Sequence, residues 1–359
     1  MTYNFNAGPA TIPRAVMERA RGEFIDYADS GYSIIEASHR SAEFEEIITR
    51  AEGNVRKLTG IGDDFAVLFL QGGASMQFAM IPMNFLPPDR TAAYVDTGLW
   101  SGKAVKEARK IGHVAVVAGT ADADYDHIPE LPAGTVATDA AYLHITTNNT
   151  IYGTQYQAVP EVPDCVPLFA DMSSDILSRP LPFESFDLVY AGAQKNLGPS
   201  GVTLVIVCRD LAERGAANLP SMLDYRTHIK GDSLYNTPPT FAIYMMALVT
   251  DWICEQGGLS AVAEVNRRKA ADIYGCIDHD DFYRGCARTD SRSVMNVCFG
   301  LPTAAQEAAF VEAAAASGLI GLKGHRSASG IRASIYNGMP PAGVTALVDF
   351  MQEFRRSHG

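Results

Sequence analysis

The stretch Phe186-Asp187-Leu188-Val189-Tyr190-Ala191-Gly192-Ala193-Gln194-Lys195-Asn196-Leu197-Gly198-Pro199-Ser200-Gly201 decides how the chain reads, because an apolar run gives way to small residues around a single lysine. Gly and Ala neighbours leave room for a ligand to approach the backbone. An ammonium with little water and few carboxylate partners shifts toward the neutral amine, the form that attacks a carbonyl carbon as a Schiff-base lysine does. Of the eight lysines, Lys103, Lys106 and Lys110 recur at helical spacing beside Glu107 and Arg109, and Lys57 and Lys269 sit in charged helical stretches, so these five read as solvated surface residues. Lys230 and Lys323 lie in Gly-containing loops and remain rivals to Lys195, although neither follows an apolar strand.

Working outward, strand-like runs alternate with helical patterns: Ala66 to Leu70, Ala92 to Val95, Val114 to Val117, Ala141 to Ile145, Pro167 to Ala170, Leu188 to Tyr190 and Val202 to Val207. Short, near-continuous apolar strands separated by helices predict an α/β fold whose large sheet is mainly parallel and covered on both faces. A helix from about Phe241 to Glu255, stopped by Gly257-Gly258, leads out of that domain. The remainder, with a helix around Ala263 to Tyr274, a strand Val294 to Phe299 and helices Ala304 to Ser317 and Gly343 to Arg355, predicts a smaller α+β domain. The expected division is an N-terminal segment 1–15 near the active site, a large domain 16–257 and a small domain 258–359.

The chain has 359 residues, 47% hydrophobic and 19% charged, with a formal charge of −12 and a sequence pI near 5.1. That length buries a large core, and the acidic balance without a basic tract argues against nucleic-acid binding. An anionic ligand would need a local cluster of cations. No run approaches the ~18 apolar residues of a membrane span, so a cytoplasmic location is the expectation. The six cysteines show neither C-x-x-C nor metal-like spacing and read as buried free thiols. No metal is expected, and P-loop, nucleophile-elbow and G-x-G-x-x-G patterns are absent.

Asp171 closes the apolar run Pro167 to Ala170. A carboxylate at a strand's C-terminal end points into the crevice where α/β proteins bind ligands, although the same residue could be an ordinary turn or cap. Paired with a pyridinium nitrogen, it would keep that ring protonated and able to accept electrons. Gly72-Gly73-Ala74-Ser75 follows the strand ending at Leu70 and opens a helical run. Backbone N–H groups at such a corner suit a phosphate, or make a plain tight turn.

Together these motifs resemble the fold-type I pyridoxal-phosphate enzymes of class V, and within them the phosphoserine aminotransferase family. The likeness runs nearly end to end, through Asn6-Ala7-Gly8-Pro9-Ala10, Ser38-His39-Arg40, Asp96-Thr97-Gly98-Leu99-Trp100, Asn148-Asn149-Thr150-Ile151-Tyr152-Gly153, Tyr235-Asn236-Thr237-Pro238-Pro239 and Gly324-His325-Arg326 to Arg332-Ala333-Ser334-Ile335-Tyr336-Asn337. The resemblance implies Lys195 as the covalent anchor of pyridoxal 5'-phosphate and Asp171 as its ring-nitrogen partner. It implies Trp100 stacked on the ring, Thr150 beside the phenolic oxygen, and Ala74, Ser75 and Gln194 at the phosphate. Asn236 and Thr237 would reach that phosphate from a neighbouring subunit, which makes a homodimer with shared sites the expectation.

On the substrate side, the resemblance makes Arg332 the clamp on the α-carboxylate, as a planar guanidinium binds bidentately. His39, Arg40, His325 and Arg326 would form the pocket for a distal anion. The implied reaction is ping-pong amino transfer from L-glutamate to 3-phosphohydroxypyruvate, giving 2-oxoglutarate and O-phospho-L-serine, with 4-phosphohydroxythreonine left open as a further substrate. Ala7 stands where some members carry Ser, removing a hydroxyl, and Ser75 where some carry Arg. Alternatives are a glyoxylate aminotransferase, a cysteine desulfurase, or a non-enzymatic phosphometabolite binder. A glyoxylate enzyme has no use for two His-Arg pairs, and no evident nucleophilic cysteine lies in the Gly318 to Asn337 region.

Overall fold

Six of the seven expected strand runs are almost wholly buried, and together with the edge strand His113–Gly119 they form one seven-stranded sheet. In the computed structural model, which describes residues 1–328 and 330–359, the order is Phe65–Leu70, Thr203–Cys208, Leu188–Gly192, Leu168–Asp171, Leu143–Thr146, Thr91–Asp96 and His113–Gly119. Neighbours pair in parallel, except that Thr203–Cys208 runs antiparallel to both strands beside it. An apolar run reads alike in either direction, so the sequence carries no sign of that reversal. Its effect is to bring Ser200, Gly201 and Val202 to the edge where the parallel strands finish.

Strand periodicity sorts the core into two layers. Phe65, Val67 and Phe69 pack on one face with helices Ala42–Thr59 and Thr240–Glu255, whereas Ala66, Leu68 and Leu70 pack on the other with Gly73–Phe85 and Leu99–Ala108. Helix Ala42–Thr59 shows why these segments are helical. Ser41 caps it by accepting from the Phe44 N–H, Phe44, Ile47, Ile48, Ala51 and Val55 form its buried stripe, and Gly60 ends it in the left-handed region.

A separate apolar cluster holds the C-terminal part together, around Phe299, Phe310, Leu347 and Phe354. Strand Asn296–Gly300 pairs antiparallel with Arg284–Gly285 and Ile331–Ser334, between helices Gly258–Ile277, Ala304–Ala316 and Pro341–His358. The N-terminus joins this part: Tyr3–Asn4 pairs in parallel with Leu319–Ile320, and Phe5 is buried in the same cluster.

Two expectations need correction. All six cysteines are free, but of these Cys276 and Cys298 alone are buried; Cys208 and Cys254 are half-buried and Cys165 and Cys286 exposed. Lys269 is no surface residue. Its side chain is 2% exposed, and its Nζ donates to the carbonyls of Ile335, Tyr336 and Met339 at 2.8, 2.8 and 3.0 Å. Lysine's long stem lets the ammonium reach past the apolar face of its helix to the carbonyls of the turn beyond it.

Candidate active site

Strand ends at Leu70, Asp96, Thr146, Asp171 and Gly192 converge on one edge of the sheet, the position where α/β proteins bind ligands. A cavity of about 190 Å³ opens there, and its lining includes Ala74, Ser75, Trp100, Asp171, Gln194 and Lys195. Residues separated by more than a hundred positions are thus brought together by topology alone.

Lys195 follows Gly192 in a loop fixed by its own backbone, with Ala193 N–H donating to Val202 at 3.0 Å and Leu197 N–H to Ala193 at 3.0 Å. The next side chain, Asn196, donates to the Ile176 carbonyl at 2.6 Å and accepts from the Asn337 N–H at 2.9 Å. Lys195 Nζ itself donates to Thr150 Oγ1 at 2.8 Å and lies 5.5 Å from the Trp100 ring centre. Desolvation pushes this amine down to about 8, Asp171 opposes the shift, and the Arg332 charge adds to it.

Asp171 is 4% exposed, and burial raises its proton affinity. The Ser173 hydroxyl, the Lys195 charge, the Ser173 N–H and the Tyr190 hydroxyl work against that rise. Ser173 N–H sits 2.9 Å from Oδ1, an Asx-type turn that the Asp-Met-Ser spacing could have announced. Tyr190 carries no such sign, because it lies inside an apolar strand. Both residues were missed as supports of Asp171.

At the opposite wall, helix Gly73–Phe85 begins with no acidic residue in its first turn and no side-chain cap. Its first N–H groups lack intrahelical acceptors, which makes an anion site. Gly72 is required at this corner: φ is +90°, and an added Cβ would lie 2.5 Å from Met76 Cβ. Trp100 enters from the helix following Gly98, where a Cβ would meet Asn149 Nδ2 at 2.5 Å. The indole Nε1 is buried without a hydrogen-bond partner among the described residues.

A second cavity, about 550 Å³, is lined by Tyr125, Tyr152, Arg326 and Arg332. Arg332 lies on Ile331–Ser334 with a buried, unpartnered Nε, and it forms no ion pair among the described residues. His325 is held below its ordinary value by burial and by the charges of Arg332, Arg326 and Lys103. Its Nδ1 meets Ser327 Oγ at 2.6 Å.

Thr150 and His325 line neither cavity but adjoin residues that do, Thr150 through its bond to Lys195 and His325 between Gly324 and Arg326, whereas four expected site residues lie elsewhere in the single chain. His39 and Arg40 line a different cavity, with Glu45, Glu52 and Asp232. Asn236 and Thr237 line neither cavity, and the Thr237 carbonyl accepts from Gln71 Nε2 at 3.0 Å.

This constellation is an anion-binding helix end, a buried carboxylate and a desolvated amine around one cavity. Residues 2–347 match the class-V aminotransferase family, and the chain belongs to that family. Within it, the chain is 54% identical to the phosphoserine aminotransferase of Herpetosiphon aurantiacus, covering 99% of each chain. It superposes on the solved phosphoserine aminotransferase from Bacillus circulans subsp. alkalophilus with a TM-score of 0.98 at 53% identity, covering 100% of this chain and 99% of that one. The pyridoxal-phosphate-bound phosphoserine aminotransferase of Trichomonas vaginalis gives 0.91 at 38% identity, covering 98% and 100%.

The residues present fit such a cofactor. The N–H groups at Gly73, Ala74 and Ser75, which have no intrahelical acceptor, suit its phosphate, the Asp171 carboxylate suits a protonated ring nitrogen, and the Trp100 ring lines the same cavity.

Proposed function

We propose that the chain transfers the amino group of L-glutamate to 3-phosphohydroxypyruvate, giving 2-oxoglutarate and O-phospho-L-serine in serine biosynthesis, with pyridoxal 5'-phosphate as cofactor. The observation that carries this reading is the desolvated Lys195 amine sharing a cavity with Asp171 and feeling the Arg332 charge, while Arg332 and Arg326 line a second cavity. Two guanidinium groups, Arg326 and Arg332, that form no ion pair among the described residues suit a substrate with two anionic ends.

The cofactor supplies an electron sink when its ring nitrogen is protonated. An ionised Asp171 would hold that proton in place. Lys195 would anchor the cofactor, and its Nζ, when not so bound, would carry the proton leaving the substrate α-carbon and deliver it to the carbon that gives up its bond to the amino nitrogen, a role suited to an amine of pKa about 8. Thr150 Oγ1 orients that Nζ, while Ala74, Ser75 and Gln194 would hold the cofactor phosphate and Trp100, on the same cavity wall, would shield the ring from water. Arg332 binds the α-carboxylate, and His325 with Arg326 the distal anion.

His39, Arg40, Asn236 and Thr237 belong to the same chemistry only if a second copy brings them to the site, so we assign the protein as a homodimer with shared sites. Residues 16–257 form the cofactor-binding domain and 258–359 the small domain. The first fifteen residues lie against both, through Ala10 N–H to the Gln194 carbonyl at 2.9 Å and Tyr336 hydroxyl to the Ala7 carbonyl at 2.9 Å. No described helix is long and apolar enough to cross a membrane, and the cytoplasm is the assigned location. A desulfurase reading is disfavoured because burial pushes the Cys298 thiol well above its ordinary value, away from the reactive thiolate. The test is a coupled assay with glutamate against phosphorylated and unphosphorylated keto acids. A kcat/KM no higher for 3-phosphohydroxypyruvate than for pyruvate would overturn the assignment.

A further inference from the structure

A line of polar side chains crosses the sheet beneath Asp171. Tyr190 is the in-register neighbour of Asp171 on the adjacent parallel strand, so both point to the same face. Its hydroxyl lies 2.9 Å from His144 Nε2, and this register sets the Tyr190 side chain beside the Asp171 carboxyl, whose proton affinity it lowers. Register places His144 opposite Phe169 and Tyr94 opposite His144, on that same face. Tyr94 stacks on the imidazole at 4.9 Å and 26°, and its hydroxyl meets that of Tyr142 at 2.9 Å.

His144 is 1% exposed and held neutral by burial. One of its nitrogens therefore carries hydrogen. Nδ1 is buried with no hydrogen-bond partner among the described residues. A buried N–H without an acceptor costs more than a lone pair without a donor, so the hydrogen sits on Nε2. Nε2–H then donates to the Tyr190 oxygen, which frees the Tyr190 hydrogen to turn toward its in-register neighbour, the Asp171 carboxylate. With the other tautomer, Nε2 would draw the hydroxyl hydrogen toward itself and away from Asp171.

We propose that His144, as the Nε2–H tautomer, is a positioning residue that aims the Tyr190 hydroxyl at Asp171 and so keeps this buried carboxylate ionised for a cationic ring nitrogen. The inference rests on the reading of Asp171 as the partner of that nitrogen. Besides Tyr190, the groups facing Asp171 are Ser173, Lys195 and Asp175, and none of them duplicates this contact from within the sheet.

The test uses the full-length enzyme with Tyr190→Phe, His144→Leu, His144→Gln and Asp171→Asn. Equilibrium dialysis against pyridoxal phosphate should show binding about tenfold weaker for Tyr190→Phe, the lower end of a hydrogen bond to a charged acceptor, and about threefold weaker for His144→Leu. His144→Gln should restore parental affinity, because its amide N–H reaches where Nε2–H does, and Asp171→Asn should lose the most. Nitrogen NMR of the parent should show the His144 signal, identified by its loss in His144→Gln, as a neutral imidazole protonated at Nε2. Parental affinity for Tyr190→Phe, a His144→Gln no better than His144→Leu, or an Nδ1–H signal would each overturn the proposal while a weakened Asp171→Asn leaves the Asp171 reading standing. Parental affinity for Asp171→Asn would remove that reading and this one together.

Discussion

Lys195 and Lys269 are both desolvated, and both lose proton affinity, to about 8 and about 7 respectively. They differ in what remains free. Lys269 directs its three N–H bonds to three carbonyls inside a closed core, so its valence is filled and nothing can reach it. Lys195 Nζ has one bond, to Thr150, and its remaining positions face a cavity shared with Asp171 and Trp100. Burial alone shifts Lys269, whereas Asp171 and Arg332 also act on Lys195. A depressed amine pKa therefore does not by itself mark a reacting lysine. Open valence beside a cavity, with charges arranged around it, does.

The comparison breaks most sharply at Lys195 itself. Lys195→Ala should lower turnover by about 10⁴-fold or more, the upper range for a positioned proton carrier, without destabilising the fold. Single-turnover and steady-state assays with phosphoserine check it, and a reduced cofactor adduct found on Lys230 or Lys323 would move the role elsewhere. Asp171→Ala comes next, with a loss of at least ~10²-fold from the missing charge-assisted contact in a dry site. A variant turning over normally at full cofactor occupancy would show that this carboxylate does not tune the site.

Lys269→Met tests the other side. Turnover per folded molecule should stay at the parental level, while stability changes with pH. The folded-state value near 7 lies below the unfolded value of about 10.4, so the unfolded chain binds more protons between those limits. The parent should therefore gain stability relative to the variant as pH rises, by about 2 kcal/mol between pH 7 and 9. Below pH 7 the slope vanishes, because both states hold the proton. Denaturant unfolding at several pH values measures it, and parallel curves would mean that Lys269 is not desolvated as the structure shows.

The sequence misplaced Lys269 for a reason that can be named. Arg267, Arg268 and Lys269 look like one charged patch, but successive helical residues point about 100° apart. Val262, Asn266, Lys269 and Ile273 recur at helical spacing and are all buried, so periodicity alone could have assigned Lys269 inward. Asp171 and Lys195 were legible because each sits where an apolar strand gives way to small or polar residues. Tyr190 and His144 were not, since strands buried on both faces tolerate a polar tip without any change in pattern. The positions of His39, Arg40, Asn236 and Thr237 depend on tertiary placement that no local spacing encodes.

The smallest expected effect concerns the charges that set Lys195 apart. Arg326 is exposed and Arg332 half-buried with an unpartnered Nε, so Arg326 should contribute near the lower limit for a charge-assisted bond, about 1.5 kcal/mol or tenfold. Arg326→Ala should lower kcat/KM about tenfold for phosphoserine and for glutamate, both of which carry a distal anion, and leave alanine unchanged. Arg332→Ala should lower all three, because every substrate has an α-carboxylate. It should also raise the Lys195 amine, whose proton affinity the Arg332 charge now depresses, and leave Lys269 untouched. If Arg326→Ala instead lowers alanine and phosphoserine equally, the second cation does not select a distal anion, and the charge arrangement around Lys195 would serve one carboxylate only.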